Sequence, residues 1–319
     1  MNTKDNYIAD IIIISYKNPD MTINCVNSIF ENNINKYNII IVDNASPDDT
    51  VSVLKSALSD VKIICNDRNL GYAGAINIGA EYCSSEFLIV SNNDVIYRPG
   101  VLDTLIRNLQ ENHSIAVIGP AQEYPDGKRQ ISYGNYPGYK LIFNRFLLLD
   151  TFNRWFNKLL KLLKIKSEDI VNVDYVDGAV MVIRKDVFDR LNGFDEDFFF
   201  YSEESDFCYR AKSLGYRVAG NRDVIVTHYR GGADSFGNLK IENINKLIAS
   251  KIKFAAKHYS KGKTKIYVML EKIHYLLYSK IMALMSFITL GDVKKKYKEK
   301  ASVLENFYLA WKKAENNHE

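Results

Sequence analysis

The chain has 319 residues, of which 47% are hydrophobic and 25% are charged, so a mostly disordered protein is excluded and a substantial core is expected. The formal net charge of +4 hides an asymmetry, because residues 240–319 hold 17 lysines and 7 acidic residues whereas the rest of the chain is net acidic. No apolar stretch approaches the roughly 20 residues of a membrane-spanning helix, and the first residues lack a signal-peptide pattern. Four scattered cysteines without a CxxC pair are typical of the reducing cytosol, where we expect the protein to reside.

Apolar β-branched runs alternate with helical segments over the first 120 residues. The predicted strands lie at 8–15, 39–42, 61–64, 88–90 and 115–118. The predicted helices run from Pro19 to about Phe30, from Pro47 with Ser46 as its N-cap, from Gly71 to Cys83, and onward from Pro99. Alternation at this spacing is typical of parallel α/β units, so we expect a mostly parallel central sheet flanked by helices.

The pattern is irregular between residues 119 and 172. Within this region, residues 141–166 form a basic, apolar stretch of helical character, which fits a lid, a partner-binding element or additional core packing. The predicted elements after it are a strand at 173–183 that is interrupted at Asp177-Gly178, a helix at 203–214 and two short strands at 216–219 and 224–227.

Residues 238–319 form a separate basic region. Apolar residues recur there at steps of three and four, which predicts one stripe of an amphipathic helix: Ile266, Leu270, Ile273, Leu277, Ile281, Leu284 and Ile288. Two interpretations are open, an interfacial anchor on an anionic membrane surface and a helical hairpin that packs on the rest of the chain or in a homodimer. No nucleic-acid readout motif accompanies the lysines, so we expect no nucleic-acid partner.

Two of the predicted strands end in acidic residues. Asp94 follows the strand at 88–90, and Asp43 follows the strand at 39–42. A carboxylate at the carboxyl end of a buried strand can hold a divalent cation that in turn binds a diphosphate, or it can accept a hydrogen bond from a base or a ribose. Because Asn and Asp are also common turn residues, a β-turn at Asp94 and an Asx cap at Asp43 fit the same pattern.

Three further segments contain residues that could carry chemistry. Small residues at 69–79 allow either close approach of a ligand to the backbone or tight helix–sheet packing. Acidic residues at 203–206 begin a predicted helix behind the aromatic run 198–201, where they either stabilise the helix dipole or, when desolvated, supply a general base. His228, at a predicted strand end, is either structural or a ligand.

Taken in order, these segments resemble the family 2 glycosyltransferases, and among them the rhamnosyltransferase-like branch. The matching segments are 11–16, 42–46, 69–79, 91–94, 177–179, 193–196, 199–210 and 226–228. Their order and spacing agree over residues 8–232, which is nearly three quarters of the chain.

The resemblance implies a GT-A fold, that is, a Rossmann-like α/β architecture with a mostly parallel sheet, followed here by a C-terminal α-helical extension. It implies a nucleotide-sugar donor and a divalent cation, Mg²⁺ or Mn²⁺, with Asp94 and His228 as metal or diphosphate ligands. Motif position assigns the general base to Glu204, with Glu203 and Asp206 as alternatives. The residues implied to contact the nucleotide sugar are Ser15, Tyr16, Asp43, Asn69, Gly71, Asn77, Asn92, Asn93 and Asp177.

Two positions depart from the family pattern. Asn92 stands where the first acid of the DXD motif is usual, so Asp94 would be the principal metal carboxylate and metal affinity would be weak without the donor. Glu204 stands where the family usually has Asp, which adds one methylene to the base and alters its reach.

The family reaction is a single displacement with inversion, in which a base deprotonates an acceptor hydroxyl that attacks the anomeric carbon. The expected donor is dTDP-L-rhamnose, although users of a UDP-hexose, a UDP-N-acetylhexosamine or UDP-galactofuranose share most motifs, as does a non-catalytic sugar-nucleotide-binding homologue. The acceptor would be a saccharide or lipid-linked oligosaccharide in surface polysaccharide synthesis, at the inner face of the cell membrane. We expect a catalytic domain at 1–237, with a nucleotide-sugar half at about 1–120 and an acceptor half at about 121–237, before the basic helical region.

Overall fold

In a computed structural model, the chain divides into two compact units, Met1–Asn135 with Glu168–Gly231, and Tyr136–Ser167 with Gly232–Glu319. The residues that the structure describes are 7–32, 37–138, 141–142, 169–230 and 241–316. The predicted helical stretch at 141–166 therefore lies outside the described residues, except for its first two positions.

Within the described part of the first unit, nine strands form one sheet. They are β1 (Ala9–Ser15), β2 (Tyr37–Asp43), β3 (Lys62–Cys65), β4 (Phe87–Asn92), β5 (Val95–Ile96), β6 (Ile115–Glu123), β8 (Ile170–Asn172), β10 (Val180–Arg184) and β11 (Arg217–His228). The sheet order is β3-β2-β1-β4-β10-β6-β11-β5, and β8 pairs with β11. Two more strands, β7 (Tyr133–Gly134) and β9 (Tyr175–Val176), form a separate antiparallel pair.

The sheet is mostly parallel, with β5, β8 and β10 as the antiparallel strands. Its central strands are runs of Ile, Val and Leu that are buried along their length, as is usual where helices cover both faces. The helices of this unit are α1 (Pro19–Asn32), α2 (Thr50–Ala57), α3 (Gly71–Ala80), α4 (Val101–Glu111), α5 (Lys185–Arg190) and α6 (Glu203–Ser213). The predicted alternation of strands and helices is confirmed.

Strand register gathers many of the predicted site residues at one edge of the sheet. Ser15 at the end of β1 pairs with Asp43 at the end of β2, and Asn92 ends β4 on the other side of β1. Because β10 is antiparallel to β4 and β11 is parallel to β6, Asp177 before β10 and His228 at the end of β11 reach the same edge. This edge, where the parallel strands end, is termed the carboxyl edge below.

The helix predicted to begin at Pro47 begins later, at Thr50. Ser46 does not cap it, because the Ser46 hydroxyl donates to the Asp43 carboxylate over 2.6 Å and accepts from the Lys17 N–H over 2.7 Å. These hydrogen bonds keep Ser46 in a loop after β2 and connect this loop to the one after β1.

The two short strands predicted before His228 are in fact one strand, β11. Its pairing with β6 shifts register between Asn221 and Ile225, where polar residues interrupt the apolar pattern. Such a bulge leaves residues unpaired without ending the strand, which is why the sequence alone suggests two strands.

The described part of the second unit includes three long helices, α7 (Ile241–His258), α8 (Lys261–Ile288) and α9 (Gly291–Asn316), in agreement with the predicted C-terminal helical extension. Their core surrounds Trp311, whose ring lies edge-on to Tyr267 at a centroid distance of 5.6 Å. Tyr275 stacks on Phe307 at 4.9 Å. No helix within the described ranges combines the length and the apolar content that crossing a membrane requires.

The predicted apolar stripe of α8 is helical but does not face this core. The core side of α8 consists of other residues, including Tyr267, Val268 and Tyr275, all of which are buried. Leu270 of the stripe is partly buried. The remaining six residues of the stripe are exposed: Ile266, Ile273, Leu277, Ile281, Leu284 and Ile288. Packing within the described helices therefore does not account for the stripe.

Candidate active site

Asp94 and His228, which the sequence predicts as a ligand pair, lie side by side at the carboxyl edge. Asp94 Oδ1 is 3.2 Å from His228 Nε2, and the two side chains are only 15% and 5% exposed. Sheet pairing explains the approach, because β5 pairs with the end of β11 and the Tyr229 N–H donates to the Asp94 carbonyl over 3.0 Å.

The far side of the His228 ring is held by Gln122, a fully buried residue of β6. Gln122 Oε1 lies 3.0 Å from His228 Nδ1, and Gln122 Nε2 donates to Asp177 Oδ1 over 3.3 Å. Because the Gln122 amide nitrogen donates to Asp177, the amide presents its oxygen to the ring, so Nδ1 carries the proton. The other ring nitrogen, Nε2, then faces the Asp94 carboxylate.

This arrangement places an imidazole nitrogen and a carboxylate oxygen 3.2 Å apart in a position with little exposure. Among the described residues, His228 Nε2 has no hydrogen-bond partner, although it is buried. Such a pair is satisfied either by a proton on Nε2, which then donates to the carboxylate, or by a cation that both atoms bind. An imidazole nitrogen and a carboxylate oxygen that face each other in this way fit a bound cation.

Arg230 ties this pair into a wider network. Arg230 Nη2 lies 3.1 Å from Asp177 Oδ2, and Arg230 Nε donates to Gln130 Oε1 over 2.8 Å. Gln130 Nε2 in turn donates to the His228 carbonyl over 2.5 Å. Sequence reasoning missed Gln122, Gln130 and Arg230, because single Gln and Arg residues carry no recognisable pattern until β6 and β11 are paired.

The loop after β2 is organised around Asp43 and the adjacent Asn44. The Asp43 carboxylate accepts from the Ser46 N–H over 2.9 Å as well as from the Ser46 hydroxyl, so the predicted Asx-type interaction is present. Ser15 contributes its carbonyl, which accepts from the Asn44 N–H over 2.8 Å. These bonds fix the ends of β1 and β2 relative to each other.

Asn44, which the sequence did not single out, joins this loop to the start of α3. Its Nδ2 donates to Asn69 Oδ1 and to the Gly71 carbonyl, both over 3.0 Å. Its Oδ1 accepts from Asn66 Nδ2 over 3.0 Å and from the Leu70 N–H over 2.9 Å. Asn69, predicted to contact a ligand, is exposed and also accepts from the Gly71 N–H over 2.9 Å. The segment 66–71 is therefore held in one conformation.

The asparagines before Asp94 have different surroundings. Asn93 Nδ2 donates to Thr22 Oγ1 over 3.0 Å, and Thr22 Oγ1 lies 3.2 Å from Ser15 Oγ. Asn92 is partly exposed, and its backbone N–H donates to the Ala179 carbonyl over 3.0 Å. Thr22 thus links the start of α1 to the carboxyl edge.

Tyr16, also predicted to contact the nucleotide sugar, directly follows β1. Its side chain is 46% exposed, and the Lys17 ammonium lies 5.4 Å from its ring centroid. An exposed ring at this edge is accessible to a planar ligand.

Gly71 and Asn77 of α3 hold the loop that leads to the acidic cluster. Gly71 has φ +73°, and a Cβ there would collide with the carbonyl oxygen of Phe199. Asn77 Nδ2 donates to the Phe194 carbonyl and its Oδ1 accepts from the Phe194 N–H, both over 2.9 Å. The Asn77 amide therefore forms hydrogen bonds with the backbone of Phe194. Together, Gly71 and Asn77 fix the position of the loop that precedes α6.

The acidic residues at the start of α6 are not equivalent. The fully buried Asp206 accepts from Arg210 Nε over 2.7 Å, and Arg210 Nη1 donates to the Leu191 carbonyl over 2.8 Å. Glu203 is also buried, and its Oε2 has no hydrogen-bond partner among the described residues. Glu204 is partly exposed.

Burial, with the negative charge of Asp177 as a further cause, raises the pKa of the Glu204 carboxyl to about 7 against opposing hydrogen bonds to the ionised form. Burial also raises the pKa of Glu203 well above its ordinary value, with the neighbouring Glu204 as the second cause. A carboxyl that titrates near neutral pH is suited to proton transfer, and partial exposure gives Glu204 access to a ligand.

Backbone strain is concentrated in the loops around these residues. Seven described non-glycine residues have positive φ, and all but Asn192 lie after β1, after β2, before α6 or after β11: Lys17, Asn18, Ala45, Tyr201, Ser202 and Arg230. Each such residue costs on the order of 1–3 kcal/mol and persists only where the surroundings enforce it. Strain of this kind clusters at functional sites, which agrees with a site at the carboxyl edge.

The sequence model of glycosyl transferase family 2 matches residues 10–191, which is more than half of the chain. The chain belongs to glycosyl transferase family 2. The family predicted from the ordered motifs is thereby confirmed.

Two curated relatives of this family 2 chain are informative. An N-acetylglucosaminyl-diphospho-decaprenol L-rhamnosyltransferase from Mycobacterium tuberculosis is 26% identical over 206 residues, which are 60% of this chain and 66% of the relative. The low-salt glycan biosynthesis hexosyltransferase Agl10 from Haloferax volcanii is 27% identical over 209 residues, 63% of this chain and 61% of the relative. The chain therefore spans slightly less than two thirds of the length of each.

A solved structure supports the fold of the family 2 chain. A mannosyltransferase from Pyrobaculum calidifontis, in complex with GDP-Man and Mn²⁺, aligns with a TM-score of 0.63 over 99% of this chain and 89% of that chain. At 14% sequence identity, this likeness concerns the fold alone. The predicted GT-A fold is confirmed.

Proposed function

We propose that this protein is an inverting, metal-dependent glycosyltransferase that moves a sugar from a nucleotide sugar to a hydroxyl of a saccharide or lipid-linked saccharide. The observation that carries the proposal is the Asp94–His228 pair, whose facing oxygen and nitrogen atoms lie 3.2 Å apart at the edge where open α/β sheets bind ligands. Family membership supports the reaction class, and this pair supports the proposed location of the site.

Asp94 and His228 would hold the cation, Mg²⁺ or Mn²⁺. When bound, the cation would neutralise charge on the diphosphate leaving group. Within the described ranges, no group of three or more His, Cys, Asp or Glu side chains could hold a metal ion, so the proposed cation site rests on two protein ligands. Sites of this kind commonly use one or two protein ligands together with substrate phosphates. Metal affinity would therefore depend on the donor.

Glu204 is the proposed general base. Its raised pKa, about 7, leaves a substantial ionised fraction at neutral pH while keeping the carboxylate basic enough to take a proton from an acceptor hydroxyl. The acceptor oxygen then forms a bond to the anomeric carbon as the bond to the diphosphate breaks, which inverts that carbon. Asp206 is the weaker candidate because Arg210 binds its carboxylate, and Glu203 is more deeply buried than Glu204.

The proposed donor site is the part of the carboxyl edge formed by β1, β2 and β4. Asp43 would recognise the base or ribose, and Ser15, Tyr16, Asn69, Asn92 and Asn93 would surround the nucleotide sugar. Gly71 and Asn77 would act by holding the surrounding loops, as their contacts with the backbone at Phe199 and Phe194 suggest. Asp177 would act through Gln122, to which it is hydrogen-bonded.

The proposed donor is dTDP-L-rhamnose, a choice that the rhamnosyltransferase from M. tuberculosis supports. A UDP-hexose is the second candidate, and the hexosyltransferase from H. volcanii favours a hexose. The name of the M. tuberculosis relative also favours a lipid-linked saccharide acceptor, which would require a peripheral position at the inner face of the membrane.

The proposal is tested by incubating the full chain with Mn²⁺ and a panel of dTDP-, UDP- and GDP-sugars. The expected result is thermal stabilisation by one nucleotide class and slow, Mn²⁺-dependent release of the nucleoside diphosphate from its sugar. Stabilisation without hydrolysis or transfer would favour a non-catalytic binding protein. The absence of any nucleotide-dependent shift would overturn the proposed donor site.

A further inference from the structure

The turn between α8 and α9 carries a cluster of exposed apolar side chains. α8 ends at Ile288, and α9 begins at Gly291, whose φ of +59° allows the sharp reversal. The exposed fractions are 63% for Leu284, 80% for Phe287, 68% for Ile288, 85% for Leu290 and 52% for Val293. These five residues are termed the hairpin tip. Single exposed apolar residues are normal, but a contiguous group of this size marks an interaction surface.

Lysines directly flank the hairpin tip. Lys294, Lys295 and Lys296 follow Val293 and are all exposed, and Lys280 is exposed one turn before Leu284. From residue 280 to residue 300 the chain has six lysines and two acidic residues. Positive charge beside exposed apolar side chains complements an anionic lipid surface, where headgroups attract lysine and the apolar side chains enter the boundary region.

The exposed side of α8 extends this surface along the helix. Ile273, Leu277 and Ile281 are 39–48% exposed and continue the apolar stripe toward the hairpin tip. A bilayer-spanning arrangement does not fit, because no described helix is long and apolar enough to cross a membrane. A helix that lies on the surface requires only one apolar side together with flanking lysines.

A second copy of the chain is a less suitable partner for the hairpin tip. In a two-fold dimer the same patch meets itself, so two surfaces that each have six lysines and two acidic residues between residues 280 and 300 would face each other. Like charges brought together in this way oppose association. An anionic surface has no such conflict.

We propose that the hairpin tip, with Lys294–Lys296, docks the chain onto an anionic lipid bilayer without spanning it. The inference rests on the proposed function in one respect, namely that docking would bring the site close to a lipid-linked acceptor. The docking itself depends on the exposed apolar residues and the lysines alone.

The test measures flotation of the full chain with vesicles of phosphatidylcholine, with and without phosphatidylglycerol. The wild-type chain should bind the anionic vesicles. The double variant Phe287→Ser/Leu290→Ser should lower the bound fraction by at least about tenfold, because both side chains leave the interface. The triple variant Lys294→Gln/Lys295→Gln/Lys296→Gln should remove the preference for phosphatidylglycerol.

The matched control is Phe30→Ser, since Phe30 is 57% exposed and lies on α1 of the first unit. It should bind vesicles like the wild type. Circular dichroism and thermal unfolding verify that all variants remain folded. Nucleotide-sugar hydrolysis without vesicles should be equal in every variant, so a failure of the proposed enzyme activity is separable from a failure of docking.

Three results would overturn the inference. The first is that the wild-type chain does not bind anionic vesicles. The second is that the Phe287→Ser/Leu290→Ser variant binds them as well as the wild type does. The third is a double variant that turns a dimer into a monomer in sedimentation while vesicle binding stays constant. That last outcome would assign the hairpin tip to an interface between two copies.

Discussion

Gln122 and His228 form a hydrogen bond that determines what His228 can bind. The Gln122 amide oxygen lies 3.0 Å from Nδ1, which leaves Nε2 as the ring nitrogen that faces the Asp94 carboxylate 3.2 Å away. The orientation of Gln122 is in turn set by Asp177, which accepts from its amide nitrogen. Gln122, which is not a candidate metal ligand, therefore selects the tautomer of His228, which is one.

Replacing Gln122 with Leu should weaken Mn²⁺ binding in the presence of the nucleoside diphosphate by about 10–100-fold, as for other partners of metal-binding histidines. Leu removes the acceptor for the Nδ1 proton, so the ring is free to place that proton on Nε2. Titration with Mn²⁺ followed by electron paramagnetic resonance measures the affinity. Gln122→Glu keeps an acceptor and should retain more affinity than Gln122→Leu. Equal affinities in Gln122→Leu and the wild type would contradict the role of Gln122.

Replacing Glu204 with Gln should lower sugar transfer by at least about 100-fold while donor binding survives, because only the proton acceptor is lost. The base works in its ionised form and has a pKa of about 7, so wild-type kcat/KM should rise with pH and level off above that value. Pre-steady-state transfer and nucleotide titration separate the two effects. Full transfer by the variant would move the base to Glu203 or Asp206.

The sequence predicted most of the fold because the strands are long runs of Ile, Val and Leu and their spacing is regular. It also placed Asp94 and His228 in one site, although only the pairing of β5 with β11 brings them together. Gln122 and Asn44 could not be found this way, since their importance comes from partners on other strands and loops. The side of α8 that is buried was likewise not predictable, because both of its sides are apolar.

Gly71 should tolerate no side chain. An Ala at this position would have φ +73° and a Cβ in collision with the Phe199 carbonyl, so the free energy of unfolding should fall by at least about 2 kcal/mol. Gly127 is the matched control, because it has φ +79° and a Cβ at that position would meet nothing within 4 Å. Gly127→Ala should therefore cost only about 1 kcal/mol, the strain alone. Urea denaturation compares the two, and equal losses would show that the contact with Phe199 is unimportant.

The buried Glu203 should make the stability of the protein depend on pH. Burial raises its pKa in the folded state, so between the ordinary value, near 4.5, and that raised value the folded protein holds a proton that the unfolded chain releases. The stabilisation from Glu203 is complete at acidic pH and is lost as pH rises toward the folded-state pKa. Glu203→Gln mimics the protonated form and should therefore gain stability over the wild type as pH increases from about 4.5. Thermal unfolding from pH 4 to pH 8 measures the difference, and a constant offset between the two proteins would show that Glu203 does not titrate as proposed.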